Sequence, residues 1–86
     1  MPFVYILQSQ VNKRYYIGST IDLNKRITEH NLGKSKYTRL TKPFDLVFCK
    51  EYLTIKQARN IEYRLKKLKN RKIIERIISD NDIKLS

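Results

Sequence analysis

The sequence predicts a small α+β domain, a three-stranded antiparallel sheet flanked by three helices. Three observations predict it. Short β-rich runs at Phe3–Leu7, Tyr15–Gly18 and Phe44–Glu51 are bounded by turn residues. Segments beginning near Asp22, Thr54 and Asn70 carry apolar residues at helical spacing behind capping residues. The chain has 86 residues and a mass of 10.4 kDa, so it forms one domain that buries about 60–65% of its unfolded surface. The order β-β-α-β-α-α packs helices over a sheet. Residues 1–80 make the domain and residues 81–86 a tail.

Phe3-Val4-Tyr5-Ile6-Leu7 follows Pro2 and reads as the first strand. Side chains alternate along a strand, so Phe3, Tyr5 and Leu7 share one face. Gln8 to Arg14 is polar and holds Asn12, which suits a turn, and Tyr15-Tyr16-Ile17-Gly18 reads as a short second strand paired with the first. Gly18 fits a strand end where another group approaches the backbone closely. Asp22 suits an N-cap, Leu23 and Ile27 form an apolar i, i+4 pair, and Gly33 suits the C′ stop. Gly33 to Pro43 is a basic, aromatic-bearing loop that carries Lys34, Lys36, Tyr37, Arg39 and Lys42. Phe44 to Glu51 reads as the third strand, with Phe44, Leu46, Val47 and Phe48 as its apolar members. Thr54 and Gln57 match a capping box, and Ile55, Ala58, Ile61, Leu65 and Leu68 form the stripe of the helix behind it. Asn70 caps a further helix bearing Ile73, Ile74, Ile77 and Ile78, and Asp80 to Ser86 has no pattern.

Nineteen Lys and Arg face eight Asp and Glu, a formal net charge of +11. Such an excess attracts polyanions. Nucleic acid is the leading partner, ahead of an anionic membrane surface or an acidic protein. The longest unbroken apolar run is Phe3–Leu7, whereas a membrane span needs about 20 residues. No signal-peptide pattern follows the start. Cys49 is the single cysteine, which excludes an internal disulfide framework and a multi-cysteine zinc site. These features together lead us to expect a reduced, cytoplasmic domain.

Several placements depart from a plain amphipathic pattern. A step of about 100° per residue sets His30 close to Leu23 near the inward stripe of the first helix, with Arg26 one turn before it. The pair reads either as Arg26 paired with Glu29 or Asp22 beside a satisfied semi-buried His30, or as part of a site. Glu62 lies on the edge of the apolar stripe of its helix, among Arg59, Lys66 and Lys69. It reads either as an ordinary i, i+4 partner of Lys66 or as a carboxylate kept for a hard divalent ion beside a phosphate. Tyrosine is in excess, six against three Phe and no Trp, with Tyr5, Tyr15 and Tyr16 on the first two strands. Lys66, Lys67, Lys69, Arg71, Lys72 and Arg76 form a basic helical segment that suits either a solvated face or phosphate contact.

At these residues a family resemblance appears. Val4-Tyr5-Ile6, then Tyr16-Ile17-Gly18-Ser19-Thr20, then Asp22-Leu23, Arg26 and Glu29-His30-Asn31, then Glu62 on a later helix, resemble in order and spacing the GIY-YIG nuclease domain. Gly33, Lys36-Tyr37-Thr38, Pro43 and Leu46-Val47 are similar to its small stand-alone bacterial subgroup (UPF0213-like). The likeness covers residues 2 to 72. Phe3 and Val4 stand where the first motif carries its glycine.

The resemblance implies a divalent-metal-dependent endonuclease that hydrolyses DNA phosphodiester bonds, in repair or recombination, with Tyr5, Tyr16, Arg26, His30 and Glu62 as catalytic residues. Glu62 would be the sole protein ligand of one Mg²⁺ or Mn²⁺, an ion that keeps several waters. Arg26 would hold a nonbridging phosphate oxygen. Tyr5 or Tyr16 would act on the attacking water, helped by His30. Lys36, Tyr37, Arg39, Lys66, Lys67, Lys69, Arg71 and Lys72 would contact nucleic acid, DNA first and RNA as the alternative. Tyr15 is assigned to packing. No membrane contact is expected, and so small a footprint leaves room for a homodimer or a protein partner. The competing reading is a non-catalytic nucleic-acid-binding module or an accessory subunit of a larger complex. Glu62 argues against it, because a pure binder gains nothing from a carboxylate that repels phosphate.

Overall fold

The computed structural model describes residues 1–34, 39–68 and 70–83. Along the chain lie β1 (Phe3–Ser9), β2 (Tyr15–Thr20), α1 (Leu23–Asn31), a 3₁₀ turn (Arg39–Thr41), β3 (Phe44–Glu51), α2 (Ile55–Leu68) and α3 (Arg71–Asp80). The strands form one antiparallel sheet in the order β2-β1-β3. This is the three-stranded sheet with three helices that the sequence predicts. β2 runs two residues beyond the Gly18 limit read from sequence, because Ser19 and Thr20 pair with Val4 and Phe3.

The central strand is covered on both faces, so its side chains sort into two clusters. Tyr5 and Leu7 face Phe44, Tyr16, Leu23 and Ile27, which places α1 on that side. Val4 and Ile6 face Phe48, Ala58, Leu65, Ile74 and Ile77 on the other, beneath α2 and α3. Phe44 and Phe48 would share a face in a regular strand. A bulge opposite Ile6 and Leu7 shifts the pairing from Phe48 to Leu46, so the two phenylalanines serve opposite clusters.

The caps follow the sequence. Asp22 accepts from the Lys25 amide and Gly33 takes a positive φ of 79° just beyond α1. Thr54 and Gln57 exchange reciprocal hydrogen bonds of 3.1 and 3.3 Å at the start of α2. Asn70 accepts from the amides of Lys72 and Ile73. Two expectations are corrected. Leu68, assigned to the apolar stripe of α2, is 46% exposed, because it ends the helix beyond the turn where Leu65 reaches the core. The stretch after Asp80, read as an unpatterned tail, is packed through Ile83. Asn81 closes α3 in the left-handed conformation, Asp82 pairs with Lys50 at 2.6 Å, and Ile83 joins the core.

Candidate active site

β2 is an edge strand, and pairing opposite β1 sets which way each of its residues points. Tyr16 and Gly18 lie opposite Leu7 and Tyr5, on the α1 face, while Ile17 and Ser19 lie opposite Ile6 and Val4, on the α2 face. A cleft of about 700 Å³ runs along this edge, and groups from both faces reach it. From the α1 side come Tyr5, Tyr16, Arg26 and His30; from the α2 side come Ser19, Glu62 and Lys66. Arg14, Tyr15 and Arg71 line the same cleft. All five residues assigned to catalysis from sequence therefore line one cavity.

Gly18 explains how Tyr5 gets there. Tyr5 is 5% exposed and its ring lies directly over Gly18, so that a Cβ at this position would overlap the phenol. Its hydroxyl is 3.3 Å from His30 Nε2, and the rings meet edge to face at 6.1 Å. Burial raises the Tyr5 hydroxyl above its ordinary 10.0, with Arg26 opposing and Glu62 adding to the rise. Burial lowers His30 below 6.5, and the Arg26 charge lowers it further. The shift favours the neutral imidazole at pH 7, and in the tautomer that carries its proton on Nδ1 the ring accepts the Tyr5 hydroxyl proton at Nε2.

Tyr16 has a different setting. Its ring packs edge to face on Phe44 at 5.2 Å, and its hydroxyl accepts from Asn12 Nδ2 and Thr41 Oγ1, both at 3.4 Å. These two bonds lower its pKa below 10.0. The Arg26 and Glu62 charges bear on Tyr5, whereas the charge bearing on Tyr16 is Arg14.

Glu62 is held at both oxygens. Ser19 Oγ donates to Oε1 at 2.5 Å and Lys66 Nζ sits 2.6 Å from Oε2. The ordinary i, i+4 pair with Lys66 is therefore real, but it leaves the bond from Ser19, across on the sheet edge, unaccounted for. Among the described residues no group of three or more His, Cys, Asp or Glu could cage a metal. Among the described residues, Glu62 is the only carboxylate lining the cleft. One partly buried carboxylate in a roomy cleft fits Mg²⁺ or Mn²⁺, which take one or two carboxylates and fill the shell with water and phosphate oxygens.

The basic residues divide. Arg71 stacks over the Tyr15 ring at 4.7 Å and donates to the Lys13 carbonyl at 3.3 Å, fixing it at one end of the cleft. Lys67 lies over Tyr63 at 6.0 Å on the outer face of α2, and Lys72 is exposed. Lys36, Tyr37, Lys69 and the Arg39 side chain lie outside the described residues. Sequence reasoning missed Ser19, Asn12 and Thr41. For Ser19 a signal existed: it lies two residues after Ile17 and so shares the face that Ile17 turns toward α2.

The fold and this cleft define a class, and comparison with known proteins names it. Residues 1–75 match the GIY-YIG catalytic domain family, and the chain belongs to that family. It is 39% identical over 71 residues to the UPF0213 protein YazA of Bacillus subtilis, a match spanning 81% of this chain and 71% of that one. A UPF0213 protein of Streptococcus pneumoniae is 35% identical over 80 residues, spanning 92% and 79%. The solution NMR structure of the UPF0213 protein BH0048 from Bacillus halodurans superposes with a TM-score of 0.58 at 37% identity, covering 92% of this chain and 84% of that one. The family is one of nucleases, which points to a nucleic-acid substrate and a divalent metal. Among the described residues no helix is long and apolar enough to cross a membrane.

Proposed function

We propose that this protein is a divalent-metal-dependent endonuclease that hydrolyses phosphodiester bonds of DNA, serving repair or recombination. The observation that carries this reading is the convergence of Tyr5, Arg26, His30 and Glu62 on one cleft along the β2 edge. Glu62 would hold the ion, one Mg²⁺ or Mn²⁺, which when bound would supply positive charge to offset the charge that develops on the substrate. Arg26 binds a nonbridging oxygen, where negative charge grows in the transition state. Tyr5 is the residue that acts on water, because its hydroxyl feels Arg26 and Glu62 and already contacts His30.

The proton path follows from the pKa directions. Tyr5 stands above 10.0 and His30 below 6.5, so free phenolate is scarce at neutral pH. The transfers are therefore concerted: water loses a proton to the Tyr5 oxygen as the Tyr5 proton passes to His30 Nε2. The new P–O bond forms as the leaving P–O bond breaks; the leaving oxygen takes a proton from solvent water, and the imidazolium returns its extra proton to solvent, restoring the Tyr5–His30 pair. Tyr16 positions the hairpin against Thr41 and Asn12 and touches the substrate edge from the Arg14 side. Arg71, Lys67 and Lys72 hold flanking phosphates without reading sequence, as do Lys36, Tyr37, Arg39 and Lys69 of the basic loop and helix junction.

The test is a cleavage panel of duplex, single-stranded and branched DNA and of RNA, with Mg²⁺, Mn²⁺ or EDTA. Wild type should cut only with metal. Tyr5→Phe should lose roughly 10²–10⁴ in rate, the usual worth of a general acid–base group, while Tyr16→Phe loses far less. Equal losses for the two tyrosines would refute the assignment of Tyr5.

A further inference from the structure

The family motif accounts for Glu62 but not for the two side chains that grip it. Ser19 Oγ donates to one carboxylate oxygen and the Lys66 ammonium occupies the other. They arrive from different elements, Ser19 from the outer strand and Lys66 from one turn further along α2, so the grip spans the cleft wall. Glu62 keeps 19% of its side-chain surface exposed, and Lys66 keeps 57%. The serine is thus a short fixed donor, while the lysine is a long, solvated and movable cation on the oxygen that remains.

We propose that Ser19 and Lys66 are positioning residues for the metal carboxylate and act in opposite senses. Ser19 fixes the Glu62 rotamer by holding Oε1 through its hydroxyl. Lys66 is a built-in counter-ion that neutralises Oε2 in the absence of a divalent cation and must yield it when one binds. A carboxylate left bare in the cleft wall would carry a desolvation cost; a lysine partner removes it yet holds less tightly than a doubly charged ion. Once displaced, the Lys66 ammonium stays within reach of the cleft it lines, where an incoming phosphate is its natural partner. The inference rests on the assignment of Glu62 to the metal.

The test is direct binding of Mn²⁺ to the full chain without nucleic acid, followed by the electron paramagnetic resonance signal of free Mn²⁺. Removing a competing cation from a partly screened pair should tighten binding by about three- to tenfold in Lys66→Met. Loss of a charge-assisted hydrogen bond should weaken binding by about tenfold in Ser19→Ala. Lys66→Arg, which keeps the charge, should stay near wild type. Circular dichroism on each variant separates loss of fold from loss of site. If Lys66→Met binds Mn²⁺ no more tightly than wild type, or Ser19→Ala binds it equally well, the proposal is overturned while the Glu62 assignment stands. If Glu62→Gln binds Mn²⁺ like wild type, the metal assignment falls and this inference with it.

Discussion

Gly18 has room for hydrogen and nothing larger, because the Tyr5 ring occupies the space its side chain would fill. Gly18→Ala should therefore destabilise the fold by about 1–3 kcal/mol, as overpacking does, and should also move the Tyr5 hydroxyl away from His30. Urea denaturation gives the first, and a cleavage rate of Gly18→Ala that falls toward that of Tyr5→Phe gives the second. His30 supplies a pH signature. Its folded pKa lies below 6.5, so the unfolded chain binds more protons in that range. Stability is full above pH 6.5 and is lost as pH falls through the folded value. Cleavage should fall over the same range, since a protonated ring cannot accept from Tyr5. His30→Gln should flatten the acid limb of the stability curve, and an unchanged limb would refute the assignment to His30. At this scale much was legible in the sequence: Gly18 was read as a place of close approach, but only the strand register names Tyr5 as the group that approaches. The Ser19 bond to Glu62 joins residues 43 apart in sequence, and no local pattern records it.

At the scale of elements, the site depends on an open sheet edge bordered by helices from both faces. α3 closes one end, where Asn70 caps the helix and Arg71 stacks on Tyr15. Asn70→Ala removes that cap and should cost about 1 kcal/mol, with Arg71 losing its fixed place over Tyr15; thermal melts and Tyr fluorescence check both. Caps and strand runs were legible because they are local chemistry. The β3 bulge was not, since it follows from pairing with β1 rather than from any residue of β3. Neither was the packing of Ile83, which rests on contacts with residues distant in sequence, in the core beside the Lys50–Asp82 pair.

For the whole molecule, charge and size set how a substrate is held. The protein measures 34 × 27 × 20 Å, so its long axis matches about ten base pairs of duplex. With a formal charge of +11, affinity should fall steeply with salt. Lys67→Ala with Lys72→Ala should flatten the log–log slope by about 0.9 for each duplex phosphate contact removed, leaving the metal-bound rate constant unchanged. The central claim is that the β2-edge cleft cuts the strand it binds, with Glu62 as the ion holder. Binding and cleavage of one labelled DNA, measured on wild type and Glu62→Gln prepared side by side in Mn²⁺, test it most directly. Glu62→Gln should bind at least as tightly as wild type, having lost a repelling charge, and should not cut. Cleavage by Glu62→Gln at the wild-type rate, or binding without cutting by both proteins, would contradict it.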